Sequence, residues 1–234
     1  MLNRSLKVQT VGFAILLALS FLPAPLFGSP QGRIAIYQSA IGQTSFALSL
    51  TPGNEVTSAQ SVQVVVLFDT SASQTGLYRT DALAALETFL GSLTPVDRVR
   101  LVAVDLEPVE LTNGFVAPNG RAIDAAVSKL KFRAPLGATD MGKLLKFAAG
   151  CFVGPTRSPR CAVYIGDGLS KANYLDKSEF AGLMKQMVER RVAFSSYVIG
   201  PLRDIHLVAA IVNNTGGSAI TGTFASLPEG APVT

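Results

Sequence analysis

The stretch from Val62 to Ser73, VQVVVLFDTSAS, decides the fold of this 234-residue chain. Its first part, 62–68, is almost continuously apolar and rich in β-branched residues, which is typical of a parallel strand covered by helices on both faces. A carboxylate and two hydroxyls follow at once in Asp69, Ser71 and Ser73, in the pattern DxSxS. The stretch therefore predicts a buried strand whose carboxyl end carries oxygen-bearing side chains.

Segments of helix and strand character alternate after this stretch. Leucines at helical spacing between Thr80 and Leu93 predict a helix that ends at Thr94-Pro95. Apolar patterns predict further strands over 98–105, 161–165, 192–199 and 218–221, a short edge strand at 115–116, and helices over 123–130, 141–148, 180–188 and 205–212. The alternation predicts an α/β fold: a doubly wound, mainly parallel sheet with helices on both faces and one short antiparallel edge strand.

The amino-terminal residues have the composition of a secretory signal. Arg4 and Lys7 precede an apolar run over 11–22, and proline, glycine and small residues follow. The run is shorter than the ~20 residues of a spanning helix, and an uncleaved membrane anchor is the alternative. We expect an exported protein, periplasmic, cell-surface or extracellular, with a signal or anchor over 1–29, N-terminal strands and a linker over 30–61, the main domain over 62–222 and a tail over 223–234.

The net charge and the cysteine count bear on the expected partners and on disulfide bonding. The formal net charge is +4, two units of which come from Arg4 and Lys7 in the segment expected to be removed. The remaining basic residues are scattered and do not alternate with aromatics, so nucleic acid is not an expected partner. Cys151 and Cys161 are the only cysteines, and in an exported chain an even count favours a disulfide between them.

Two further oxygen donors fall where the predicted sheet would bring them to the same edge as Asp69. Thr139 lies in the turn GATDM, and Asp167 follows the strand that begins at Cys161. If the strand order is the common 3-2-1-4-5-6, Asp69 and Asp167 face each other across the switch point. Two carboxylates there repel unless a cation lies between them, and this set of hard oxygen donors suits Mg²⁺ or Mn²⁺.

Together, DxSxS after an apolar strand, the GxTD turn at 137–140 and a later strand ending in Asp167-Gly168 resemble the von Willebrand factor type A domain, from about 62 to 221. The resemblance implies a metal-ion-dependent adhesion site. In it Ser71, Ser73 and Thr139 coordinate the metal directly, while Asp69 and Asp167 hold it through waters or hydroxyl hydrogen bonds. A coordination position is then left for a partner.

Two features depart from the family pattern. Gly166 replaces the hydroxyl residue common before the second aspartate, and no final helix is evident after Thr221. Residues 33–50, in contrast, resemble part of the upstream β domain that some members carry. In relatives that final helix can transmit an integrin-like conformational switch, and the sequence leaves open whether this protein has one.

The resemblance favours an exported, metal-dependent protein-binding or adhesion module whose partner supplies an Asp or Glu carboxylate. A structural or assembly domain without a functional metal, and a metal-dependent hydrolase, are the alternatives. An enzyme is not expected, since His206 is the only histidine and has no evident catalytic partners. Residues 137–143, GATDMGK, partly match a phosphate-binding loop, but Leu144 stands where Ser or Thr would hold Mg²⁺, so a nucleotide is not expected either.

Overall fold

The computed structural model describes residues 31–38, 44–51, 61–154 and 158–222, in two compact units, Met1–Ser58 and Ala59–Thr234. In the first unit, β1 (Gln31–Gln38) and β2 (Thr44–Thr51) form an antiparallel two-stranded sheet. This sheet agrees with the N-terminal strands expected within 30–61. The expected signal and tail lie outside the described residues. Within the part of the chain that is described, no helix has the length and apolar character needed to cross a membrane.

The second unit is built on a six-stranded sheet. Its strands are β3 (Gln63–Asp69), β4 (Arg98–Val104), β5 (Pro108–Glu110), β6 (Arg160–Gly166), β7 (Val192–Val198) and β8 (Ala219–Thr221). They lie in the order β5-β4-β3-β6-β7-β8, and every neighbouring pair is parallel except β4 with β5. The doubly wound α/β fold and the 3-2-1-4-5-6 order are therefore confirmed.

The antiparallel edge strand lies earlier in the chain than the sequence indicated. It was expected at 115–116, but Val116 forms only an isolated bridge with Val99. The edge strand is β5, which turns back directly after β4 and is held by a two-pronged ion pair from Arg100 to Glu110, at 2.7 and 2.8 Å. The proline that begins β5 is tolerated because it occupies the first position of an edge strand.

Among the described residues, five helices cover the sheet: α1 (Gly76–Ser92), α2 (Arg121–Phe132), α3 (Met141–Gly150), α4 (Lys177–Glu189) and α5 (Ile205–Thr215). Asp140, Asp176 and Asp204 cap the starts of α3, α4 and α5, because each carboxylate accepts hydrogen bonds from backbone N–H groups of the first turn. Helix α5 ends at Gly216, whose φ of 77° is the left-handed conformation that glycine adopts most readily. These boundaries follow the helix signals of the sequence closely.

The core lies on both faces of the sheet, and β3 contributes to each side. Val65 and Leu67 belong to a buried cluster with α3, α4 and α5, whereas Val64, Val66 and Phe68 belong to a second cluster with α1 and α2. Residues 65–68 are all 0% exposed, which explains why the strand is apolar at consecutive positions instead of alternate ones.

The two cysteines belong to opposite faces of this sheet. Cys151, after α3, is part of the first cluster, while Cys161 on β6 packs against the second, and both sulfurs are free. The structure therefore does not support the disulfide that the cysteine count favoured, since the two residues pack on opposite faces of the sheet. Burial raises the pKa of both thiols above the ordinary value for cysteine, which favours the protonated thiol over the thiolate.

Candidate metal centre

The two aspartates predicted for the site lie side by side at the carboxyl edge of the sheet. Strands β3 and β6 are parallel neighbours, with Phe68 in register with Ile165. Asp69 ends β3 and Asp167 follows β6, so each carboxylate leaves the sheet at the same edge. Both are almost wholly buried, at 0% and 1% exposure. The position is the switch point at which doubly wound sheets bind their ligands.

The carboxylate of Asp69 is held from three directions. Its Oδ1 accepts a 2.8 Å hydrogen bond from the backbone N–H of Ser71, two residues ahead in the same loop. The hydroxyl of Thr139 lies 3.0 Å from both carboxylate oxygens. The hydroxyl of Tyr164, on β6, donates a 2.6 Å hydrogen bond to Oδ2. The orientation of Asp69 is therefore fixed by groups on three separate segments of the chain.

A second set of contacts joins the two serines to Asp167. The hydroxyls of Ser71 and Ser73 are 3.0 Å apart, and Ser73 donates a 2.6 Å hydrogen bond to Oδ2 of Asp167. The backbone N–H of Leu169 donates to the other oxygen of Asp167 at 3.0 Å. The structure thus brings the five residues predicted from the sequence into one place: Asp69, Ser71, Ser73, Thr139 and Asp167. We call these five residues the oxygen cluster.

The loop that carries Thr139 is tied to the loop after β3 by backbone hydrogen bonds. Leu136 N–H donates to the carbonyl of Thr70 at 2.9 Å, and Ala72 N–H donates to the carbonyl of Gly137 at 3.1 Å. The following Asp140 caps α3 by accepting from Lys143 N–H at 3.0 Å. The rigid helix start and the two loop contacts together fix where the Thr139 hydroxyl lies.

Electrostatics at the oxygen cluster are unfavourable for two bare carboxylates. Burial raises the pKa of Asp69 above its ordinary value, and the nearby charge of Asp167 acts in the same direction, against the hydrogen bonds from Tyr164 and Ser71. Among the salt bridges of the described residues, none involves Asp69 or Asp167. A cation would relieve this repulsion.

The donor chemistry of the oxygen cluster fits a small hard cation. Two carboxylates and three hydroxyls supply oxygen only, the ligand type that Mg²⁺ and Mn²⁺ prefer. Over the described residues there is no group of three or more His, Cys, Asp or Glu suited to a metal ion. A metal here would accordingly be held by hydroxyls as well as carboxylates.

Sequence reasoning missed Tyr164. Its side chain is 0% exposed, and its hydroxyl also accepts a 3.1 Å hydrogen bond from Gly168 N–H. A tyrosine on a buried strand needs a partner for its hydroxyl, and that requirement was the available signal. What the sequence could not show is that the partner is Asp69, 95 residues away.

A polar network lies next to the site. Asp105, which follows β4, is half-buried and accepts hydrogen bonds from Thr70 at 3.0 Å and from Arg133 at 2.7 Å. Burial of its carboxyl raises the pKa, but these hydrogen bonds outweigh burial and hold the pKa of Asp105 below its ordinary value. The network steadies Thr70, the neighbour of Asp69.

Lys143 and His206, which were considered for nucleotide binding and for catalysis, are not part of the oxygen cluster. Lys143, from the partial phosphate-loop match, forms an ion pair with Glu107 on the surface. His206 is exposed on α5.

A mainly parallel sheet of this strand order, with buried carboxylates and hydroxyls at its switch point, defines a doubly wound α/β domain with a polar site at the carboxyl edge. The chain belongs to the von Willebrand factor type A domain family, whose family model matches residues 62–220. No curated protein matches the chain significantly.

Solved structures show the same fold. A von Willebrand factor type A protein from Catenulispora acidiphila superposes with a TM-score of 0.66 at 17% identity, over 87% of this chain and 48% of that one, so the chain spans about half of its length. An aerotolerance-related membrane protein from Bacteroides fragilis gives 0.54 at 15% identity, over 70% and 92% of the two chains. Manganese-loaded TRAP protein from Plasmodium vivax gives 0.54 at 16%, over 80% and 67%.

Proposed function

We propose that this domain is an exported protein-binding module which holds Mg²⁺ or Mn²⁺ at the oxygen cluster and through it binds an Asp or Glu carboxylate of a partner protein. The observation that carries the proposal is the convergence of the five oxygen side chains, from three separate loops, into one hydrogen-bonded group at the switch point. In the metal-bound protein, Ser71, Ser73 and Thr139 would be direct ligands, and Asp69 and Asp167 would act through hydrogen bonds or water.

Charge supports a carboxylate as the partner's group. Asp69 and Asp167 at most balance one divalent cation, and a cation held mainly by neutral hydroxyls keeps a strong attraction for a further anionic oxygen. An incoming carboxylate therefore gains more at this site than a neutral amide does.

Exposed apolar residues on the loops at the same edge support a protein as the partner. Leu106, Leu136, Tyr174 and Leu202 follow β4, α2, β6 and β7 respectively, and they are between 52% and 83% exposed. Apolar side chains exposed close to a polar site are typical of protein-binding surfaces. A partner that places an acidic residue at the cluster would cover these side chains.

Binding is favoured over catalysis because the described residues around the oxygen cluster include no histidine. Asp69 and Asp167, the carboxylates of the cluster, are both assigned to holding the cation in this proposal, so neither is set apart as a base for water.

One observation favours a second candidate, a structural domain that binds no metal. The hydrogen bonds within the oxygen cluster satisfy much of its polar capacity without any ion. The two functions differ in one measurable respect, which is the response of the folded protein to divalent cations.

The first test measures metal binding by the full chain. At a Mg²⁺ or Mn²⁺ concentration 100 times the Kd, mass action adds about 2.7 kcal/mol of stability. For a domain of this size the melting temperature should rise by about 5 to 10 °C. Asp69→Ala should abolish the rise, while Asp124→Ala, which removes an exposed carboxylate on α2, should retain it. No rise in wild type would refute the proposal.

The second test concerns the partner. A protein captured by the full chain from its native source in Mg²⁺ should be released by EDTA, and Ser71→Ala and Thr139→Ala should bind it more weakly. Changing the partner's acidic residue to its amide should have the same effect. Binding that survives both EDTA and the acid-to-amide change would refute the proposed mechanism.

A further inference from the structure

The hydroxyl of Tyr164 reaches Asp69 from inside the protein. The side chain stands on β6 within the first core cluster, and its ring stacks on Phe194 of β7 with centroids 6.3 Å apart. Both rings are 0% exposed. The hydroxyl donates to Asp69 Oδ2 at 2.6 Å and accepts from Gly168 N–H at 3.1 Å. A rigid and fully buried ring therefore holds one hydrogen-bond donor against the carboxylate.

The same hydroxyl occupies the space that a side chain at position 166 would need. A Cβ added to Gly166 would collide with the hydroxyl of Tyr164 and would come within 2.5 Å of the Cβ of Asp69. Gly166 is also the position at which the sequence departs from the family pattern by lacking a hydroxyl residue. Tyrosine at 164 and glycine at 166 are thus sterically coupled.

The contacts of Asp69 show what the tyrosine contributes. Ser71 N–H engages Oδ1, Tyr164 engages Oδ2, and the Thr139 hydroxyl lies equally far from both oxygens. With one oxygen held by the loop and the other by the core, the plane of the carboxylate cannot rotate freely. Groups that orient metal-binding side chains in this way typically change metal affinity by roughly 10- to 100-fold when removed.

We propose that Tyr164 is a positioning residue of the metal site, which supplies from the core the hydroxyl that position 166 lacks and so holds Asp69 ready for Mg²⁺ or Mn²⁺. This inference rests on the metal binding proposed above. It adds a sixth residue to the site. It also explains why glycine occupies position 166, since a glycine leaves room for the tyrosine hydroxyl.

The experiment compares Mg²⁺ and Mn²⁺ affinities of full-chain variants by calorimetry, at a temperature where circular dichroism shows each one folded. Tyr164→Phe should raise the Kd by roughly 10-fold or more, because it removes only the hydroxyl. Tyr197→Phe is the matched control: it removes a half-buried tyrosine hydroxyl on the neighbouring strand and should leave the Kd within about twofold, the ordinary scale of a surface change.

Comparing two replacements of Tyr164 separates positioning from a merely structural role. Tyr164→Phe keeps the ring that stacks on Phe194, whereas Tyr164→Leu removes both the ring and the hydroxyl. A positioning role predicts that both variants lose metal affinity to a similar degree, although only Tyr164→Leu should melt well below wild type in EDTA. A structural role alone predicts that affinity falls in step with the melting temperature in EDTA, so that Tyr164→Phe binds metal almost as wild type does. Gly166→Ser should also weaken metal binding, because its Cβ collides with the tyrosine hydroxyl and with the Cβ of Asp69.

The outcomes distinguish this inference from the function on which it rests. If wild type binds neither metal, the proposed function fails and the role of Tyr164 fails with it. If wild type binds metal and Tyr164→Phe binds it equally well, the positioning role alone is overturned. If Tyr164→Phe does not fold, Gly166→Ser decides the matter, and unchanged affinity in that variant overturns the inference.

Discussion

Ser73, in the loop after β3, donates a 2.6 Å hydrogen bond to Asp167, which lies 94 residues further along the chain. The contact joins the two loops that leave the sheet at its switch point. It is a bond from a neutral hydroxyl, so it orients the carboxylate without cancelling its charge. Asp69 and Asp167 consequently repel each other whenever both are ionised, and this repulsion is the basis of the first prediction.

Asp167→Asn should have opposite effects with and without metal. Asparagine can still accept from Leu169 N–H and can donate its amide to the Ser73 hydroxyl, so the local hydrogen bonds are retained. In EDTA the variant should melt at or above the wild-type temperature, because the repulsion with Asp69 is gone. In Mg²⁺ the wild type should gain about 5 to 10 °C and the variant much less.

Thermal melts of wild type and Asp167→Asn, in EDTA and in Mg²⁺, measure these opposite effects on the melting temperature. A variant that melts well below wild type in EDTA would show that the hydrogen bonds outweigh the repulsion. A variant that keeps the full Mg²⁺ shift would place the metal elsewhere.

Gly200→Ala should weaken metal binding. Gly200 follows β7 with a φ of 153°, and a Cβ there would come within 2.6 Å of the Cβ of Asp167. The added methyl cannot be accommodated unless Asp167 or the backbone at position 200 shifts, and either shift disturbs the position of the Asp167 carboxylate. The matched control is Gly216→Ala at the end of α5, where φ is also positive, at 77°, but no atom lies within 4 Å of the new Cβ.

Both alanines should lower stability through backbone strain, but only Gly200→Ala should also raise the Kd for Mg²⁺. Calorimetric titration of the two folded variants makes the comparison. Equal Mg²⁺ affinities would contradict the prediction.

Asp97 should make the stability of the domain depend on pH. Its buried carboxylate accepts hydrogen bonds from Val62 N–H at 2.9 Å, Thr94 N–H at 2.7 Å and the Thr94 hydroxyl at 2.8 Å. Burial raises its pKa, but the hydrogen bonds outweigh burial and leave the pKa of Asp97 below its ordinary value. Because the pKa is depressed in the folded state, the stabilisation is present above about pH 4 and is lost as the pH falls below that value.

Asp97→Asn should therefore lower the free energy of unfolding by about 1 to 3 kcal/mol at pH 7, since the amide nitrogen cannot accept a hydrogen bond. The deficit should shrink at pH 3, because the carboxyl of Asp97 is then largely protonated in the unfolded chain and unfolding is favoured by proton uptake. Urea unfolding in EDTA at the two pH values measures it, with Asp124→Asn as an exposed control. A deficit of equal size at both values would contradict the assigned cause.

The cysteines should be recovered as thiols. Because Cys151 and Cys161 lie on opposite faces of the sheet, peptide mapping of the natively produced protein should find both unpaired. A reducing agent should leave the melting temperature unchanged. A peptide that links the two residues would overturn this arrangement.

Much of the fold was predictable because its signals are local. Consecutive apolar residues indicate strand β3, and apolar residues at helical spacing followed by Gly216 indicate helix α5. The site residues were also predictable in position, because carboxyl ends of parallel strands share one edge whatever the loops do. Asp69 and Asp167 could be assigned to that edge without knowing a single distance.

What the sequence by itself determined is therefore the type and order of the elements, and the edge at which the oxygen donors meet. Tertiary structure alone decided which side chains from distant strands share a face. The placement of Tyr164 against Asp69, the pairing of Asp105 with Arg133 and the separation of the two cysteines all depend on this. The physical reason is that alternate side chains of a strand point to opposite faces of the sheet, but the sequence of the strand does not say which helices cover each face. The packing of the crossover helices decides which residues meet there.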